Sequence, residues 1–187
     1  GVSYCALCDG SFFAGQDVAV VGGGNSAAAE ALQLSRIAKE VILVHRRDKL
    51  RAPKIYHQPL EKAENVRFLW NSAVTQLHHG ERLNGVTVTN LTTGEETLVA
   101  ADGLFVSIGR TPATELVQGQ LELDEDGYIP ADETTVTAIP GVFAAGDCTG
   151  GPLQVSKAVG EGLIAGQSAA AYVAEQLGHE GLAETHD

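Results

Sequence analysis

The sequence predicts an α/β fold of the doubly wound type, and three observations predict it. A β-branched run, Asp17–Val21, ends directly in the glycine-rich turn at residues 22–27. A helical stretch and a second apolar run at residues 41–44 follow, so the whole segment has the size of a βαβ unit, about 30 residues. Further strands are expected at residues 66–69 and at residues 103–108, and the second of these is expected to be buried.

The remaining elements follow in chain order. Residues 26–38 have apolar side chains at helical spacing, and Asn25 or Ser26 can cap the start of that helix. Pro53 and Pro59 are expected to interrupt the chain before a short helix at residues 60–64. Alternation over residues 74–99, with turn residues at 84–85 and 93–94, predicts an antiparallel meander.

A domain boundary is expected at residues 115–119. Before this boundary we predict a nearly complete doubly wound domain, residues 1–116, and after it a second part of the chain, residues 117–187. In the second part, residues 127–130 and 141–145 resemble short strands, and the small-residue run 154–177 resembles a closing helix.

The composition restricts the class of protein. The 187 residues include 44% apolar side chains, and the formal net charge is −12. An acidic surface argues against a nucleic-acid partner. The sequence contains no run of about 18 apolar residues, so it gives no indication of a membrane span. Three cysteines are too few for a disulfide scaffold. We expect a cytoplasmic protein, and since the chain begins at Gly1 we expect its natural N-terminus to lie upstream.

The glycine turn has the pattern of a dinucleotide fingerprint. Gly22 would allow a tight turn, Gly24 would let a pyrophosphate approach the backbone, and Ala27 would allow close packing of helix on strand. Asn25 and Ser26 would then lie at the helix N-terminus, where phosphates bind. An ordinary strand-to-helix turn is the alternative, but the flanking strands and helix favour the nucleotide.

A basic cluster follows the second strand. An NAD site usually places an acidic residue there, whereas this chain has His45, Arg46 and Arg47, with Arg51 shortly after. Guanidinium groups bind a 2′-phosphate that a carboxylate would repel, so NADPH is favoured over NADH. A solvated basic loop is the alternative.

Two cysteines stand at the beginning of the chain in C-x-x-C spacing. Cys5 and Cys8 at a helix start suit redox chemistry, and Asp9 could relay a proton to a leaving thiolate. Half of a zinc site and two structural thiols remain alternatives, but a second C-x-x-C is absent from the sequence and no metal site is predicted. Cys148 is expected to be a small buried side chain.

One further segment ends in Gly146-Asp147. A carboxylate at the C-terminal end of a buried strand lies where open α/β sheets bind ligands. The alternative is a simple strand cap.

Together these motifs resemble the low-molecular-weight thioredoxin reductases, which are flavoproteins whose FAD domain is interrupted by an NADPH domain carrying the dithiol. The segments that carry the resemblance are residues 5–10, 22–27, 45–52, 108–112 and 141–147. The resemblance implies that residues 1–116 bind NADPH and residues 117–187 complete an FAD domain whose N-terminal half we expect to be missing. It adds Glu30, Gly109 and Gln154 to the cofactor residues, and it gives Gly146 and Asp147 to the flavin.

Two substitutions depart from the family pattern. Ala29 replaces the first of two acidic residues after the glycine turn, which leaves Glu30, and Leu153 replaces the arginine before Gln154. The first change bears on nicotinamide positioning, and the second implies the loss of one flavin contact.

The implied activity passes electrons from NADPH through FAD to the Cys5–Cys8 disulfide, and then to thioredoxin or a similar small redox protein. The complete enzyme is expected to be a homodimer, and the 187-residue chain alone is expected to be inactive. Two alternatives remain: the flavoprotein component of a peroxiredoxin reductase, and a non-catalytic NADPH-binding fragment.

Overall fold

The computed structural model describes the backbone of residues 1–183 and the side chains of residues 1–178. It divides into two compact units, Gly1–Gly109 and a second unit that begins at Arg110. The boundary expected from the sequence lies a few residues further along the chain.

The first unit is built on a five-stranded sheet. Its strands are β1 (Val2–Ser3), β2 (Asp17–Val21), β3 (Glu40–Val44), β4 (Val66–Leu69) and β8 (Gly103–Val106). They lie in the order β1-β8-β2-β3-β4, and all four strand pairs are parallel. Most side chains of the central strands are buried, as parallel strands covered on both faces require. The α/β fold predicted from the sequence is confirmed.

Helices cover one face of this sheet. They are α1 (Ala6–Asp9), α2 (Asn25–Leu34) and α3 (His57–Lys62). Small side chains of α2, among them Ala28 and Ala31, are fully buried with Val20, Leu43 and Phe105 of the sheet. Because alternate residues of a strand point to opposite faces, Ala19 and Ile42 belong to the core on the other side.

The ends of two helices differ from the sequence prediction. Gly24 occupies the N-cap position of α2 and makes no side-chain cap, so capping by Asn25 or Ser26 was wrong. The helix also ends at Leu34, four residues before the predicted end. Pro59 does not interrupt the chain, because it lies in the first turn of α3, where the missing N–H has no intrahelical partner to lose.

A three-stranded antiparallel sheet covers the second face. Its strands are β5 (Ser72–His79), β6 (Leu83–Asn90) and β7 (Glu96–Val99). Val86, Val88 and Val99 pack with Ala19 and Ile42. The meander is confirmed, but the expected turn at residues 84–85 lies inside β6, where Gly85 pairs with His78.

The second unit contains one long helix, α4 (Val155–Ala183), and a small core of Leu121, Ile129 and Ala144. The two predicted strands do not form among its described residues. Residues 141–145 contribute only an isolated bridge, between Phe143 and Val136. The backbone groups of these two segments are instead paired with loops, as in the hydrogen bonds from the Ile129 N–H to the Cys148 carbonyl and from the Ala144 N–H to the Thr135 carbonyl.

Much of the apolar surface of α4 is open to solvent within this unit. Five of its side chains are more than half exposed: Val155, Val159, Leu163, Val173 and Leu177. Despite its length, α4 does not qualify as a membrane span, and neither does any other helix in the described part of the chain.

The centre of the first unit gives a stability test. Phe105 on β8 is fully buried and contacts the ring of Phe13 edge-on, with the ring centroids 5.3 Å apart. We expect Phe105→Ala to lower the free energy of unfolding by about 3–5 kcal/mol, because it leaves a cavity in the core. Urea denaturation measures the change. Leu98→Ala, on the exposed face of β7, is the control and should cost less than about 1 kcal/mol; equal losses in the two variants would contradict this packing.

Candidate functional site

A cavity of about 530 Å³ opens where β2, β3 and β8 end. Ligands of open parallel sheets bind at this carboxyl edge. Eight of the residues singled out in the sequence line it: Gly22, Gly24, Asn25, Ser26, His45, Arg46, Arg51 and Gly109. Ala27, Glu30 and Arg47 do not line it.

The glycine turn shapes the floor of the cavity. Gly22 has a φ of 147°, and a Cβ there would collide with the carbonyl oxygen of Ser107 and lie 2.8 Å from the Cβ of Ala27. Ala27 is therefore part of the tight packing behind the turn, the role predicted for it. A Cβ on Gly24 would meet nothing within 4 Å, so the backbone there is open to a ligand. The first amides of α2, which have no side-chain cap, are free for the same use.

Gly23 is a site residue that the sequence reasoning missed. A Cβ at this position would collide with the imidazole ring of His45. Its carbonyl oxygen accepts hydrogen bonds from the backbone N–H groups of Arg51 and Ala52, at 2.7 and 3.2 Å. Gly23 thus joins the glycine turn to the basic loop at residues 45–51. The sequence signal that could have identified Gly23 is the run of three consecutive glycines.

The arginines of the basic loop are separated by the fold. Arg46 and Arg51 line the cavity, whereas Arg47 is exposed beside it, with its backbone carbonyl accepting from the N–H of Asn71. None of the ion pairs formed within residues 1–178 involves these three arginines. Two guanidinium groups are therefore available to an anion in the cavity.

His45 forms part of the cavity wall and is only 5% exposed. Its Nε2 atom has no hydrogen-bond partner among the described residues. Burial lowers the pKa of His45, and the positive charges of Arg51, Arg47 and Arg46 lower it further, while a hydrogen bond to the Lys49 backbone acts in the opposite direction. The imidazole is therefore neutral at neutral pH and adds no charge to the basic rim.

The two N-terminal cysteines form a disulfide, with their Cα atoms 5.3 Å apart. Cys5 is the N-cap of α1, and its Sγ accepts from the backbone N–H of Cys8 at 3.1 Å. Cys5 is half-buried and Cys8 is exposed. The hydroxyl of Ser3 donates to the carboxylate of Asp9 at 2.7 Å, which orients the predicted proton relay beside the pair.

Glu30 lies behind the cavity wall. Instead of lining the cavity, its carboxylate accepts from the backbone N–H of Ala6 at 3.3 Å and, through its other oxygen, from the hydroxyl of Ser107. Glu30 therefore lies between the end of β8 and α1, which is called the dithiol helix below because Cys5 and Cys8 lie at its start and within it.

The remaining predicted residues belong to the second unit. Gly146, with a φ of 85°, and the exposed Asp147 form the helical turn Gly146–Thr149. The carboxylate of Glu161 accepts from the Gly146 N–H at 2.7 Å, and Lys157 Nζ donates to the Gly146 carbonyl at 2.8 Å and to Glu161 at 2.9 Å. Lys157 is the main cause that lowers the pKa of Glu161.

Two other predicted features lie nearby. Gln154 immediately precedes α4, where its carbonyl accepts from the N–H of Ala158. Cys148 is a free, half-buried thiol that donates to the Ala145 carbonyl. No group of three or more metal-binding side chains occurs among the residues that the structure describes.

The lowered pKa of His45 predicts a pH dependence of stability. As pH falls through the ordinary histidine value of about 6.5, the unfolded chain takes up a proton that the folded state resists. The free energy of unfolding should therefore fall with pH below that value until the folded imidazole itself titrates. We expect His45→Gln to flatten this part of the profile. Urea denaturation of both proteins at several pH values measures it, and parallel profiles would contradict the assignment.

Known proteins that are similar to this chain indicate the family to which it belongs. The family model described as pyridine nucleotide-disulphide oxidoreductase matches residues 1–162. A thioredoxin reductase of Streptomyces clavuligerus is 46% identical over 98% of this chain and 58% of its own length. A bifunctional thioredoxin reductase/thioredoxin of Mycobacterium leprae is 43% identical, with 41% of its length covered.

Solved structures give the same result. The crystal structure of thioredoxin reductase from Streptococcus pyogenes superimposes with a TM-score of 0.87 at 43% identity, covering 94% of this chain and 58% of that one. The chain thus spans less than two thirds of these relatives. Thioredoxin reductases of this family use NADPH and FAD. The resemblance seen in the motifs is confirmed, and the chain belongs to the pyridine nucleotide-disulphide oxidoreductase family, among the relatives of thioredoxin reductase.

Proposed function

We propose that this chain is the nicotinamide-binding and dithiol-bearing part of a flavin-dependent disulfide reductase. It would use NADPH as reductant and deliver electrons through Cys5 and Cys8 to thioredoxin or a similar small redox protein. One observation carries the proposal. A single compact unit contains both the Cys5–Cys8 disulfide and a cavity that is lined by the glycine turn and by two arginines.

The cavity residues fit a dinucleotide phosphate. The open backbone at Gly24 and the uncapped amides of α2 would hold the pyrophosphate, and Arg46 and Arg51 would hold a 2′-phosphate. NADPH would supply the hydride. Glu30 lacks a place in this cavity, so we do not include it among the residues that bind the nucleotide.

The second unit fits a supporting role in flavin binding. Asp147 presents an exposed carboxylate on a turn fixed by Lys157 and Glu161, and Gln154 immediately precedes α4. FAD would carry electrons between nicotinamide and disulfide. The apolar side chains exposed along α4 need a covering surface, and so we expect the flavin site to be incomplete on this unit alone.

The dithiol would act by thiol–disulfide exchange. A thiolate of the reduced pair attacks the partner's disulfide, the second thiol then closes the Cys5–Cys8 bond, and the partner leaves with two thiols. Asp9, held by Ser3, would transfer the proton that the leaving sulfur requires. The Mycobacterium leprae relative joins a thioredoxin to its reductase, which supports thioredoxin as the partner class.

The proposal extends to the organisation of the chain. Residues 1–116 would form the NADPH domain and residues 117–187 a part of the FAD domain. A homodimer and a cytoplasmic location, where a C-x-x-C pair can cycle between its two states, complete the proposal.

Two arginines should determine the choice of nicotinamide. We expect Arg46→Ala and Arg51→Ala each to weaken NADPH binding by about 1.5–3 kcal/mol, because each removes a charge-assisted contact, while NADH binding changes little. Calorimetric titration with both nucleotides measures this. Arg47→Ala is the matched control, since Arg47 does not line the cavity. Unchanged NADPH affinity in the first two variants would contradict the assignment.

The dithiol can be tested without flavin. Mild reduction should release two titratable thiols, and mixing the reduced chain with oxidised thioredoxin should transfer both reducing equivalents in a single turnover. Cys5→Ser and Cys8→Ser should lose the transfer, whereas Cys148→Ser should keep it. Thiol counting and mass spectrometry follow the reaction. Stoichiometric zinc, or transfer that survives in Cys5→Ser, would overturn the proposed function.

A further inference from the structure

The dithiol helix is held at its first residue by two side chains of α2. Ala6, which begins α1, is buried. Its backbone N–H donates to Oε1 of Glu30, and its carbonyl oxygen accepts from Nε2 of Gln33, both at 3.3 Å. Glu30 and Gln33 are three residues apart and thus lie on the same face of α2. The position of α1 therefore depends on contacts that α2 provides.

The contact between Glu30 and Ala6 places a negative charge at the start of α1. The first N–H groups of a helix have no intrahelical partner, and a buried one must find another acceptor. A neutral acceptor would satisfy the N–H of Ala6 equally well, but this chain uses a carboxylate. The residue before Ala6 is Cys5, so the carboxylate lies beside the peptide bond that joins Cys5 to Ala6.

The second oxygen of Glu30 connects the dithiol to the nucleotide cavity. It accepts from the hydroxyl of Ser107, which lines that cavity. The backbone N–H of Ser107 donates to Val21, and the Ser107 carbonyl lies against Gly22. Glu30 therefore joins α1 to the cavity wall without lining the cavity itself.

We propose that Glu30 is a positioning residue of the Cys5–Cys8 pair, which fixes α1 against the cavity wall and sets the balance between disulfide and dithiol through its charge. The inference rests on the proposed function of that pair. On reduction the S–S bond breaks, and the two sulfurs take up two electrons from an added dithiol together with its two protons. Helix N-terminal amides favour a thiolate among the reduced forms, and a carboxylate beside them opposes it. The charge of Glu30 thus disfavours the reduced pair.

The sign of this effect can be measured on the 187-residue chain. Glu30→Gln keeps an acceptor for Ala6 and removes the charge, so the equilibrium against dithiothreitol should move about fivefold toward the dithiol, or about 20 mV for this two-electron couple. Ser107→Ala keeps the charge but removes a donor that partly neutralises it. We expect a shift of about twofold in the opposite direction, toward the disulfide. Alkylation and mass spectrometry of samples equilibrated in redox buffers give both values.

Glu61→Gln is the matched control, because Glu61 is an exposed carboxylate on α3, and it should leave the equilibrium unchanged. If Glu30→Gln does not fold, the opposite shift in Ser107→Ala still decides. An equilibrium in Glu30→Gln equal to that of Glu61→Gln would overturn the proposal. A tenfold loss of NADPH affinity in Glu30→Gln, with an unchanged thiol–disulfide equilibrium, would also overturn the proposal, because it would make Glu30 a nucleotide-binding residue. The assay uses no thioredoxin, so its outcome is separate from the transfer test of the function.

Discussion

The close approach of β8 to the glycine turn is the constraint on which the rest of the first unit depends. The Ser107 carbonyl occupies the space that a side chain on residue 22 would need, and Ala27 closes the same gap from α2. With the strand end and the helix start this close, the cavity has a floor of bare backbone. The same approach brings the Ser107 hydroxyl within reach of Glu30 and so connects the dithiol helix to the sheet.

Charge is distributed unevenly around that cavity. The chain is acidic overall, with 12 basic against 24 acidic residues, yet Arg46 and Arg51 stand together at its rim. His45 lies behind them as a neutral ring, because burial and the neighbouring guanidinium groups oppose its protonation. The site therefore attracts an anion through the guanidinium groups of Arg46 and Arg51, whose charge does not change near neutral pH. The His45 ring forms part of the cavity wall but adds no charge.

The sequence was sufficient wherever a local pattern determines the structure. Residues 17–21 formed a strand with the predicted bounds, because an apolar run that ends in a glycine turn specifies a buried strand, and residues 66–69 also formed the predicted strand. The C-x-x-C pair at a helix start was also evident. The expected turn at residues 84–85 failed, since Gly85 is needed inside β6, where a side chain would press on the Val99 carbonyl. Contacts between distant elements decide such positions. The run of three glycines marks Gly23 in the sequence but does not reveal its contact with His45, and the contact of Glu30 with Ala6 has no signal in the spacing.

The network around Gly146 in the second unit has an entropic consequence. Both backbone groups of this glycine are engaged by side chains of α4, the N–H by Glu161 and the carbonyl by Lys157. A turn held in this way has little conformational freedom left to lose when a ligand approaches Asp147. Preorganisation of this kind lowers the cost of association without adding any contact to the ligand. In the proposed flavin site, the salt bridge between Lys157 and Glu161 would therefore favour binding without itself contacting the ligand.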